Sequence, residues 1–105
     1  MLEIYKVSEN FPKSEMYSLT TQIRRAALSA VANIAESQGR YHDAETVHFL
    51  FNARGSAEEV RSLLFAARDI PTIKLENHIF EELNEGYSNL IKGINKFITV
   101  LRKTN

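Results

Sequence analysis

The chain has 105 residues, 44% of them hydrophobic and 25% charged, which excludes a disordered tail, a membrane span and a second core, so a single domain over residues 1–105 is expected. Its 13 basic residues balance 13 acidic ones, so no global field draws the molecule to nucleic acid or an anionic membrane, and any polyanion binding has to be local. The absence of cysteine removes disulfides, thiolate nucleophiles and cysteine zinc sites together, and fits a cytoplasmic location.

The N-terminal run MLEIYKVSENFPK reads as neither a signal peptide nor a membrane helix. With only two prolines and four glycines, and no alternating apolar and polar runs between turn residues, the chain is expected to be all-α. A short helix from Leu2 to about Glu9 ends at Asn10-Phe11-Pro12, because the residue before a proline is pushed out of the α region. The second helix starts between Ser14 and Ser18, either of which suits the cap, and runs to about Ser37, with Gly39 as its stop. Asp43 is the expected cap of a third helix that runs to about Arg68 and ends before Ile70-Pro71.

A fourth helix is expected from about Leu75 to Arg102. Its Phe80, Leu83, Tyr87, Leu90, Ile94, Phe97 and Leu101 follow alternating spacings of three and four, a narrow coiled-coil-like seam. Glu76, Glu81, Glu82 and Glu85 lie toward its start and Lys92, Lys96, Arg102 and Lys103 toward its end. That order suits the helix dipole and reads as a solvated face.

The second helix carries the most informative pattern. At about 100° per residue, with Gln22 as zero, Ser29, Asn33, Glu36 and Arg40 fall within about 40° of one line. Leu19, Ile23, Ala27, Ala30, Val31 and Ile34 fill the adjoining arc, and Leu28, Ala32 and Ala35 carry small apolar character further round. A helix apolar over so much of its circumference is usually covered on more than one side, which predicts a second subunit. The third helix points the same way. Phe49, Ala53, Ala57, Val60, Leu64 and Ala67 form its core face, whereas Val47, Phe51 and Phe65 gather elsewhere as a candidate interface. Gly55 costs roughly 1 kcal/mol in mid-helix, as though another backbone packs close by. Ser29, Asn33, Glu36, Phe51, Gly55 and Phe65 are therefore the expected interface and register residues, and the NIAESQGR segment, Asn33 to Arg40, an assembly element.

Chemistry has little support in the pattern. His42, Glu45 and His48 are spaced three and three, so the two histidines diverge by about 240° on a helix, and no metal site is expected. Ser29 and Ser56 lack a histidine partner, Asn33 with Glu36 lacks a second catalytic group, and no glycine-rich phosphate loop occurs. Neither an enzyme nor a cofactor is expected. Arg24, Arg25, Arg40, Arg54, Arg61 and Arg68 make up six of the seven arginines and are the candidate RNA-binding residues, since guanidinium suits phosphate. The same interval holds Glu36, Asp43, Glu45, Glu58 and Glu59, which reduces its net charge to +1.

The strings LTTQIRRAALSAVANIAESQGR and HFLFNARGSAEEVRSLL resemble the four-helix-bundle family named for the 23S rRNA intervening sequence protein, the S23 family. That family's pattern runs approximately FPK.E.YGLT.QIRRAA.S...NIAEG.GR, then FL..A.GS..E. The resemblance spans Phe11 to about Leu64. It implies an antiparallel up-down four-helix bundle assembled as a ring-shaped homopentamer, with RNA or an RNA-processing protein as a partner, as for related retroelement accessory proteins. Ser37 and Ser18 stand where the family favours glycine, and the shortened first helix predicts a bundle without a full fourth wall.

Overall fold

A computed structural model describes residues 1–13 and 16–103, apart from the side chains of Met16 and Tyr17. The described residues are helical, in the order α1 (Leu2–Ser8), a single π-helical turn (Met16–Thr20), α2 (Thr21–Gln38), α3 (Asp43–Asp69) and α4 (Asn77–Lys103). The molecule is a rod of 49 × 23 × 17 Å.

Local signals explain most of the boundaries. α1 ends just before the Phe11-Pro12 step, and α3 ends at Asp69 because Ile70, which precedes Pro71, turns extended (φ −89°, ψ 112°). α2 stops at Gly39 without left-handed backbone (φ −95°), so that glycine's special freedom is not used there. Three expected starts shift. The expected cap Ser14 lies outside the described residues, and Ser18 sits inside the π turn. The residue before α3 is His42, not Asp43, and Asp43 joins Glu45 in the first turn, where negative charge suits the dipole. α4 opens at Asn77 rather than Leu75, because Lys74 takes a left-handed φ of 54° and Leu75 turns back to pack on Ile73 and Phe11.

α3 is the central helix, with α2 on one side and α4 on another. Ala53, Ala57, Val60, Leu64 and Ala67 are sealed at 0% exposure. Alanines at Ala26, Ala27 and Ala30 give α2 a low surface against it, which brings the two axes close. Toward α4, Val47, Leu50 and Ala53 meet Ile94 and Ile98. Two polar pegs fix that contact: Arg54 Nη1 donates to Asn95 Oδ1 at 2.6 Å and Arg61 Nε to Asn84 Oδ1 at 2.9 Å. α4 buries Phe80, Ile91, Ile94 and Ile98, so the seam expected through Phe97 is one position off; Phe97 itself is 46% exposed.

The short α1 completes one end of the rod. Ile4, 1% exposed, inserts among Ile23, Ala26, Ala27, Val60 and Leu64. Arg24 straps it down, with Nε donating to Ser8 Oγ at 2.7 Å, Nη2 to the Tyr5 carbonyl at 3.3 Å and the guanidinium 4.7 Å above the Tyr5 ring. A cation at the last turn of a helix is favourable in its own right. At 1.5 Å per residue α1 covers about 10 Å of groove, against about 27 Å for α2 and about 40 Å for α4. Past Met1, a hollow of about 350 Å³ opens between α2 and α4, with Val31 and Ile34 on one wall and Gly86 and Leu90 on the other.

Candidate functional site

The polar line of α2 is a stitch between two helices of the same chain. Ser29 Oγ lies 2.8 Å from Ser56 Oγ on α3, and Asn33 Nδ2 donates to the Ser29 carbonyl at 2.9 Å and to Ser29 Oγ at 3.2 Å. All three side chains are half-buried, and buried polar groups of this kind have to be paired. The Ser29–Ser56 bond ties α2 to α3, and Asn33 supports Ser29 from within α2. Glu36 and Arg40 form an ion pair one turn on; Arg40 Nε also reaches the Glu36 carbonyl at 3.3 Å, and its guanidinium covers the Phe49 ring at 4.5 Å. Sequence spacing placed these residues on one face, but Ser56 and Phe49 as their partners required the fold.

The phenylalanines meet partners within the chain. Val47 and Phe51 face α4 in the same chain, and the Phe51 ring lies between the guanidiniums of Arg54 (4.7 Å) and Arg102 (5.0 Å). The second apolar face of α3 exists because a helix flanked by two neighbours needs two. Phe65 is 37% exposed and meets Phe80 edge-on at 4.9 Å, with Arg68 over both rings. Gly55 keeps the expected character of an open contact, since a Cβ built there would meet no atom within 4 Å, and Phe65 and Glu36 are exposed as well.

The arginines are not gathered. Arg24 holds α1, Arg54 and Arg61 reach α4, and Arg40 closes over Phe49. Arg68 bonds the carboxylate of Asp69, and Arg25 lies by Gln22 and Glu59 along a shallow polar hollow between α2 and α3. Most of the guanidiniums are thus committed to packing, on different sides of the rod. Among the described residues no three His, Asp or Glu side chains come together as a metal site requires.

What the fold does gather is apolar surface at the open end. Leu28 and Val31 on α2 are 50% and 46% exposed, and Phe97 and Val100 on α4 are 46% and 50% exposed; Val31 lines the groove past Met1, together with Ala30, Ile34, Leu83, Tyr87 and Leu90. The sequence carried a signal for this: Ile79, Gly86, Gly93 and Val100 repeat every seven residues, as do Leu83, Leu90 and Phe97. They form a second stripe on α4 beside the one that packs on α3. Tyr87, at the junction of the two ends, is half-buried, and burial pushes its phenol above the ordinary value, with the Glu3 carboxylate adding in the same direction.

No helix of the described residues is long and apolar enough to cross a membrane. The family model described as 23S rRNA-intervening sequence protein matches residues 1–96. No curated protein matches the chain.

Proposed function

The chain belongs to the 23S rRNA-intervening sequence protein family, and from that premise we propose that it is a non-enzymatic, cytoplasmic, antiparallel up-down helical bundle that acts as a homo-oligomeric scaffold or assembly protein. The observation that carries this reading is the groove between α2 and α4 lined by Val31, Ile34, Leu83 and Leu90, with Leu28, Phe97 and Val100 also exposed on those two helices. Contiguous apolar surface rimmed by polar residues marks a surface made to be covered. The pairing of Arg54 with Asn95 and of Arg61 with Asn84, descending α4 as it climbs α3, supports the antiparallel arrangement. The Ser29 and Ser56 hydroxyls bond each other rather than a base, which favours a structural role over nucleophilic chemistry.

Size-exclusion chromatography with light scattering, at low and high salt and with and without total cellular RNA, tests the reading. The expected species is a multiple of the 12.0 kDa chain that persists at high salt and ignores RNA; the ring implied by the family resemblance would contain five copies. A 12.0 kDa monomer would overturn the scaffold. A shift with RNA at low salt alone would favour the arginines as a weak phosphate site instead.

A further inference from the structure

α1 separates two hollows that share no lining residue. The one past Met1 lies between α2 and α4. The other, about 400 Å³, lies between the last turn of α1 and the segment that joins α3 to α4. Val7, Phe11, Ile73, Leu75 and Ile79 give this second cleft an apolar lining, and Val7, Leu75 and Ile79 are only half-buried. Lys6, Asn10, Lys74 and Glu76 complete the wall. Volume and lining are those of a small-molecule site, a mostly apolar cleft with a few polar groups to orient the occupant.

The charges select the kind of occupant. Lys6 and Lys74 are exposed and form no ion pair among the described residues, so two free ammonium groups, one on α1 and one on the connection, border the same cleft. Glu76 opposes them, and its carboxylate lies 3.3 Å from Nδ1 of His78. Lys74 also occupies left-handed backbone, with φ 54°, a conformation that glycine or asparagine takes more readily. Folding alone favours another residue at this position; the lysine supplies a cation at the mouth of the cleft instead.

We propose that this cleft binds a free amphipathic carboxylate, with a short acyl chain on the apolar lining and the carboxylate between Lys6 and Lys74, and that its occupancy clamps α1 to the rod. Arg24 ties α1 to α2. An occupant that bridges Lys6 and Lys74 adds a second tie, to a different element. Because the complete cleft exists only while α1 is docked, binding stabilises the docked state by linkage. The cleft is built within a single chain, so the inference is independent of the oligomeric reading above.

Decanoate is the probe, titrated into the full chain and followed by backbone amide shifts, with hexanoate, decanol and decyltrimethylammonium as comparisons. Shifts are expected to concentrate at residues 6–11 and 73–79. Decanoate is expected to bind at least about tenfold more tightly than hexanoate, because four further CH2 groups leave water in part. Its advantage over decanol is expected to be at least about fivefold, and the cation is expected not to bind at the cleft. Lys74→Gly removes one ammonium and suits the left-handed backbone, so it is expected to keep or raise the thermal midpoint while weakening decanoate about five- to tenfold. Glu76→Gln is expected to tighten it about two- to threefold. With decanoate at about ten times its Kd, amide exchange of residues 2–8 is expected to slow about tenfold, while residues 53–64 stay unchanged. Absence of saturable shifts at millimolar decanoate, shifts centred on the groove between α2 and α4, equal affinity for decanoate and decanol, or unaltered binding by Lys74→Gly overturns the site. Binding at the cleft with no change of exchange at residues 2–8 overturns the clamp.

Discussion

The two ends of the rod are built from the same three long helices, yet one is finished and the other is not. Around α1 the space between α2 and α4 is filled by Ile4, and Ile4, Ile23, Val60 and Leu64 are at most 1% exposed. Past Met1 the same two helices stand apart over a hollow lined by Val31, Ile34 and Leu90, and Phe97 and Val100, farther along α4, lie half in water. α1, Leu2–Ser8, lies over the first of these regions, while α3 supplies both α2 and α4 with a buried face. The groove beyond α1 is lined with apolar side chains, which are the raw material of an interface.

Substitutions should therefore act on different properties at the two ends. The largest effect on stability is expected from Leu64→Ala at the finished end, about 3 kcal/mol, since the side chain is wholly enclosed and its neighbours collapse only in part; urea denaturation at fixed protein concentration measures it. Arg24→Ala comes next, at about 1–2 kcal/mol from lost charged hydrogen bonds and ring contact. Its signature is local: amide exchange of residues 2–8 should accelerate while α3 keeps its protection. A rise of exchange throughout the rod would mean that α1 is not a separately docked element.

Alkaline pH sharpens the comparison at the boundary between the ends. Burial raises the Tyr87 phenol above its ordinary 10.0, so the fold favours the neutral form. That contribution is complete below about pH 10 and is lost as pH climbs through the folded-state value. Denaturation midpoints between about pH 9 and 11.5 should fall less steeply in Tyr87→Phe than in the parent; equal slopes would mean that Tyr87 does not feel its surroundings. The smallest effect is expected at the open end of the dissociated chain, where Val31→Ala, measured at a concentration low enough to keep the protein monomeric, should stay within about 0.5 kcal/mol because the side chain is half-solvated and alanine is the better helix former. A loss near that of Leu64→Ala under those conditions would show that the open end is closed within one chain.

Much of this was legible in the residues. Prolines at Pro12 and Pro71 bound the first and third helices through the residue before each, and the seam of α4 was readable to within one position. The miss there is instructive: Phe97 and Ile98 each continue a three-four series, and periodicity cannot rank two stripes on one helix when both are apolar. α3 failed for the same reason. Val47 and Phe51 looked like surplus apolar surface, whereas they serve a second neighbour in the same chain, and only the arrangement of helices separates the two cases. The polar line through Ser29 and Asn33 was visible as a line, but Ser56, 27 positions away in sequence, could not be paired with it by spacing. The arginines were visible as a cluster along the chain and are dispersed in space, because one interval of sequence covers several sides of two helices.

The central claim is that the open end is completed by another chain while the finished end is complete alone. Peptide-resolved hydrogen exchange of the unmodified protein at two concentrations, about 1 and 100 μM, addresses it without any substitution. The account predicts that protection at residues 28–36 and 89–101 rises with concentration, while residues 53–64 of α3 stay unchanged. Identical exchange at both concentrations in a protein that scatters as a monomer would contradict it.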